Sequence, residues 1–166
     1  MSTILRNVSG THNQEGGMRR EPGLGTLAAR LLFAVQDELY ACLDEAGYGD
    51  LTRLHGAVIA YLDEDGTRAT ELARRSGRHK QVIGRIIDEL EELGYVERRP
   101  ERGDRRAKLV VPTERGLRTM RLSEQVVREI DERQAAALGK ERYAEFKETL
   151  WAVVDSLTGP AGKEPP

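Results

Sequence analysis

The chain has 166 residues, of which 33% are charged and 5% aromatic, with a formal net charge of −2 and a single cysteine. That length bounds the fold to one domain, or to one small module with an added helical region, and the composition suits a helical protein better than a sandwich or barrel. Cys42 alone excludes a disulfide framework and a cysteine-based metal site. No apolar run approaches the roughly 18 residues of a membrane span, and the N-terminus lacks the apolar core of a signal peptide, so a cytoplasmic location is expected.

Residues 1–22 are rich in Gly, Ser, Asn and Thr without sustained periodicity and read as a disordered arm; 159–166 read as a disordered tail, leaving 23–158 as one domain. The first helix is expected over about 24–46, from Leu27, Leu31, Val35, Leu39 and Leu43 at helical spacing, with Gly47 as its stop. A second helix is expected over about 52–63, capped by Thr52, with Leu54, Val58, Ile59 and Leu62 inward. A short strand at Thr67–Arg68 precedes a helix over about 69–75 with Leu72 and Ala73 inward, and Ser76–Gly77–Arg78 forms a turn. The next helix covers about 79–93, with Val82, Ile83, Ile86, Ile87, Leu90 and Leu93 mostly buried. Two antiparallel strands follow, Tyr95–Arg99 and Ala107–Val111, joined by the turn PERGDRR. Thr113, Arg115 and Gly116 open a long helix to about Leu138; Gly139 breaks it, and a last helix covers about 141–157.

This order is that of a winged helix-turn-helix over about 51–112, in a mainly α fold with a small β-hairpin wing. Such a module puts one helix in a DNA major groove and a basic wing beside it. The negative net charge conceals a local excess. Residues 74–85 hold five positive charges and no acid, and residues 98–108 hold six against two, a local +9 against −11 elsewhere. Local basic surface is the electrostatic footprint of nucleic-acid binding. Arg78, His79, Lys80 and Gln81 cluster at the start of the recognition helix, with Arg85 a turn further on; Lys80 and Gln81 are expected to reach base edges. Arg74 and Arg75 flank them. In the wing, Arg99, Arg102, Arg105 and Arg106 are expected to meet DNA, with Arg102 and Arg105 at the tip and Asp104 as an internal anchor. Gly84 is unusual inside a helix and is read either as close backbone approach to DNA or as a poorly optimised position.

Four stretches carry a resemblance to the MarR family of regulators: Leu51–Thr52, ELARR at 71–75, RIIDELEELGYVERR at 85–99, and GDRRAKLVVPTERG at 103–116. The resemblance implies a homodimer in which helices over about 24–46 and 113–157 intertwine, a pseudo-palindromic operator, and release by a small molecule in many members. It departs from the family pattern at Gln81–Val82 and Gly84, where Ser or Thr is frequent, so the operator cannot be borrowed. A phenolic or carboxylate effector is the expectation, in a cleft to which Arg30, Tyr40, His55 and Tyr61 are the candidate contributors.

Cys42 sits near the end of the first helix beside Asp44 and Glu45, surroundings that favour an inert packing thiol over a peroxide sensor. His12, His55 and His79 lack metal-ligand spacing, no cofactor is implied, and no nucleophile elbow, phosphate loop or carboxylate pair suggests an enzyme. The alternative is a winged-helix module for protein contact. It would place apolar or acidic residues where Arg78, Lys80 and Arg85 stand.

Overall fold

The computed structural model describes residues 21–101 and 104–159, and the side chains of all of these except 104–107. Residues 1–20 of the expected arm and 160–166 of the expected tail lie outside the described residues. The elements are α1 (Leu24–Leu43), a π-helical turn (Asp44–Tyr48), α2 (Gly56–Ile59), β1 (Thr67–Arg68), α3 (Ala69–Ser76), α4 (Lys80–Glu92), β2 (Val96–Glu101), β3 (Asp104–Pro112), α5 (Glu114–Leu138) and α6 (Lys140–Thr158). The expected mainly α fold with a β-hairpin wing is therefore observed. No helix among the described residues is long and apolar enough to cross a membrane.

The core lies within the central module. Val58, Leu72, Ile83, Ile86, Ile87, Leu90 and Tyr95 are fully buried, joined by Val96 and Val110 from the sheet. On α4 the buried residues Ile83, Ile86, Ile87 and Leu90 repeat at the three- and four-residue spacing that puts them on one face. Val82 does not belong to that face: it is 38% exposed, contrary to the sequence expectation, because one residue of helix rotates it about 100° from Ile83. Leu93 is only half-buried.

The second helix is much shorter than its apolar pattern predicts. The chain around it is wound tightly, with i→i−3 backbone bonds from His55 to Thr52, Ala57 to Leu54 and Tyr61 to Val58. Thr52 makes no side-chain cap. Instead its N–H donates to His55 Nδ1 at 3.1 Å, the reverse half of a capping box. A Cβ at Gly56 would lie 2.8 Å from the Tyr40 hydroxyl, so the glycine admits α1 at this point.

β3 is the central strand, antiparallel to both β1 and β2. The strands run further than expected: β2 continues through Pro100 to Glu101, and β3 begins at Asp104, with a register shift between Pro100 and Glu101. Pro100 is tolerated because β2 is an edge strand that needs no further donor. α5 opens at Thr113, whose Oγ1 accepts from the Gly116 N–H at 3.2 Å. α1 and α6 are poorly covered. Leu43 is the buried residue of α1, and α6 has none.

Candidate nucleic-acid interface

α3 ends at Gly77, whose φ of 64° is the left-handed conformation glycine adopts freely. The chain then enters α4 through His79, which supplies no side-chain cap, so the first amides of α4 lack a side-chain partner among the described residues. Thr70, Arg78, His79, Lys80 and Gln81 line an open cleft in front of this turn. Arg78, His79, Lys80 and Gln81 are all exposed, and neither Arg78 nor Lys80 has a carboxylate partner among the described residues.

α4 separates two residues that the sequence groups together. Gln81, Arg85, Asp88 and Glu92 recur at four, three and four residues, opposite the Ile83–Leu90 face, and form the outermost stripe. Lys80 lies off that stripe, on the flank that carries Gly84. Arg85 is 73% exposed in its side chain and only loosely paired with Glu89, at 3.5 Å. The acids Asp88 and Glu92 occupy the distal half, as the sequence suggests.

Several arginines counted toward the basic surface are engaged internally. Arg98 is half-buried and pairs with Asp88 and Glu91, while its N–H donates to Glu91 Oε1 at 3.0 Å. These bonds tie β2 to α4. Burial opposes the charged form of Arg98, but Asp88 and Glu91 outweigh it and raise its pKa. Arg75 Nη1 donates to Asp63 at 3.0 Å, and its Nε to Glu71 at 2.7 Å. Arg74 donates twice to Glu71, at 2.6 and 2.8 Å. The hydrogen bonds from Arg74 and then Arg75 pull the Glu71 carboxyl down to about 2. Arg99 is exposed and pairs with Glu97. Arg102 lies outside the described residues, as do the side chains of Asp104, Arg105 and Arg106.

A network absent from the sequence reading connects the helix-turn-helix to α5. Tyr95 is buried, and its hydroxyl donates to Asp50 Oδ1 at 2.5 Å. Arg115 donates to Asp50 Oδ2 at 2.8 Å and to the Leu93 carbonyl at 2.9 Å, with its guanidinium 4.3 Å above the Tyr95 ring. Burial, then the bond to Asp50, raises the Tyr95 pKa. Asp50 shifts the other way: burial opposes its charge, but the Tyr95 hydroxyl and Arg115 hold its carboxyl below the usual range.

Of the four candidate effector residues, Tyr40 lines a cavity among the described residues. The cavity, about 160 Å³, lies between α1, α2 and α5, and Tyr40 reaches it beside Leu39, Leu51, Ile59 and Met120. Burial raises the Tyr40 pKa, against a hydrogen bond from the Gly56 backbone. Arg30, His55 and Tyr61 are not among its lining residues. Arg30 is exposed on the first half of α1. Tyr61 is 41% exposed. His55 is 4% exposed, and both ring nitrogens are engaged: Nδ1 accepts from Thr52, which leaves Nε2 to donate to Glu89 at 3.3 Å. These bonds join the start of α2 to α4.

Residues 49–107 match a family model described as MarR family. No curated protein matches the chain significantly. Among solved structures, CouR from Rhodococcus jostii RHA1 bound to p-coumaroyl-CoA is 25% identical, with a TM-score of 0.64, and the match covers 84% of this chain and 94% of that one. A MarR family protein of Mycobacterium tuberculosis in complex with salicylic acid is 28% identical, with a TM-score of 0.58, covering 81% of this chain and 98% of that one. The transcriptional repressor CouR bound to a 23-mer DNA duplex shares the fold at 23% identity, with a TM-score of 0.64 and coverage of 80% and 92%. The central module thus matches the MarR family by sequence, and across α1 to α6 the chain shares the fold of MarR-family winged helix-turn-helix transcriptional regulators.

Proposed function

We propose that this protein is a sequence-specific DNA-binding regulator that acts as a homodimer on a pseudo-palindromic operator and represses by occluding it. The observation that carries the reading is the exposed start of α4. Arg78 and Lys80 stand there without carboxylate partners among the described residues, and the outward stripe opens with Gln81 and Arg85. Gln81 can bind adenine with two hydrogen bonds and Arg85 can bind guanine, whereas Arg78, Lys80 and the uncapped amides of α4 suit phosphate. Arg102 and Arg105 are assigned to the minor groove beside the wing, and Asp104 to holding them.

Dimerisation rests on exposed apolar surface. Leu24, Leu27, Leu31, Leu32 and Phe33 on α1 and Phe146, Trp151, Val154 and Leu157 on α6 are each more than 40% exposed. Exposed apolar side chains in this number mark an interface. A second copy is the occupant, because two-fold symmetry then sets two recognition helices about 34 Å apart, the spacing of successive major grooves. Repression follows as the simplest consequence of tight occupancy.

A small-molecule effector fits the cavity at Tyr40. Its volume is comparable to the roughly 150 Å³ that admits a benzene ring. Glu124 is the charged residue in its lining, and neither lysine nor arginine contributes. A phenolic or other neutral aromatic ligand is therefore favoured over a carboxylate. Selection from random duplexes followed by footprinting tests the whole reading: two protected half-sites related by a dyad are expected, and a single asymmetric half-site or no preferred sequence overturns it.

A further inference from the structure

The first turn of α4 carries one apolar side chain on its exposed surface. Val82 is 38% exposed, next to Gln81 and three residues before Arg85, so all three border the same outward stripe. Valine has no local reason to be there. It is β-branched and a weaker helix former than the straight-chain residues, and this position does not reward it with core burial. On the opposite flank of the stripe, Gly84 has no Cβ, and one added there would meet open space. Nothing among the described residues demands that glycine.

Together the two residues describe a reading surface of particular chemistry. The carboxamide and guanidinium recognise hydrogen-bonding base edges. Thymine alone also offers a methyl group in the major groove, which an apolar side chain contacts. Valine is short, so it touches that methyl only if the helix sits deep in the groove, and the missing Cβ at Gly84 lets it do so. Resting on the DNA-binding reading above, we propose that Val82 is a specificity-determining residue that reads the C5-methyl of one thymine in each half-site, and that Gly84 sets the depth of α4.

Deoxyuridine, which lacks only that methyl, supplies the test. An operator is selected from random duplexes, each thymine is replaced by deoxyuridine in symmetric pairs, and affinities are measured at one salt concentration. At one pair of positions, wild-type protein loses about fourfold per half-site, the factor expected for burying one methyl group. Val82→Ala binds the parent operator less tightly and is indifferent to deoxyuridine there, while Val82→Thr, which keeps one methyl, retains part of the preference. Gly84→Ala weakens the preference by holding α4 outward. Wild-type indifference to deoxyuridine at every position overturns the assignment, even if a variant fails to fold. So does an undiminished deoxyuridine penalty in Val82→Ala. A defined operator without methyl dependence sinks this assignment alone; failure to select any operator sinks the DNA-binding reading and this one with it.

Discussion

The carbonyl oxygen of Tyr95 fills the space that a side chain on residue 116 would need: a Cβ on Gly116 would lie 2.1 Å from it. The same oxygen accepts from the Thr113 N–H at 3.0 Å, so the turn between α4 and β2 meets the first turn of α5 at one backbone atom. Gly116→Ala must therefore move backbone rather than a flexible side chain. A loss of about 3 kcal/mol is expected in denaturant unfolding, near the upper end for overpacking. A loss within 0.5 kcal/mol, about the scale of an ordinary surface change, would show that the junction yields.

Asp50 should govern part of the acid response. Tyr95 and Arg115 hold its carboxyl below 3.8, its ordinary value. A carboxyl lowered in the folded state adds stability above its unfolded pKa, and that stability is lost as pH falls through the lowered folded value. Asp50→Asn is expected to cost about 1–3 kcal/mol at pH 7, where it leaves Tyr95 and Arg115 without a charged partner. Its melting temperature should then fall less steeply than that of wild type below about pH 4. Parallel acid limbs for the two proteins would exclude Asp50 as a contributor.

Substitutions along α4 should divide by stripe. Gln81→Ala and Arg85→Ala are expected to lose about 1–3 kcal/mol of discrimination at particular operator positions, with non-specific affinity changed far less. Arg78→Ala and Lys80→Ala should weaken binding to all duplexes and each reduce the salt slope by about one. Titration against the operator, its single-base variants and unrelated DNA separates these outcomes. Uniform losses for Gln81→Ala would move base reading elsewhere.

In the wing, Arg102→Ala and Arg105→Ala should behave like the phosphate group. Asp104→Ala should weaken binding although it removes a negative charge, because the role proposed for it is to hold the arginines. Tighter binding by that variant, measured by the same titration, would reduce Asp104 to a simple repulsive charge.

The sole tryptophan reports on dimerisation. Trp151 is 64% exposed on α6 in a single chain. Its emission should be blue-shifted at micromolar concentration and move toward that of a water-exposed indole on dilution, and Trp151→Glu should halve the mass found by light scattering. A monodisperse, folded monomer with solvent-like emission would remove α6 from any interface.

Apolar residues at helical spacing marked α1 and α4, and turn residues marked where α3 and α5 end, because a helical face repeats every three to four residues and Gly77 and Gly139 interrupt it. Pro100, Gly103 and Asp104 likewise marked the hairpin turn, and the Thr113–Gly116 spacing marked the start of α5. Local charge pointed to the turn between α3 and α4. Tertiary structure decided what a linear pattern cannot express. The second helix shrank to Gly56–Ile59 because His55 is drawn into bonds with Thr52 and Glu89, the latter 34 residues away, and Tyr40 closes on Gly56. Val82 turned outward because burial depends on which side of α4 meets its neighbours. Basic residues that look equivalent in sequence became different: Arg75 and Arg98 are held by carboxylates brought from elsewhere in the chain, while Arg78 and Lys80 remain facing outward. Charge is a property of composition, but whether a charge is available to a partner depends on which groups the fold sets beside it.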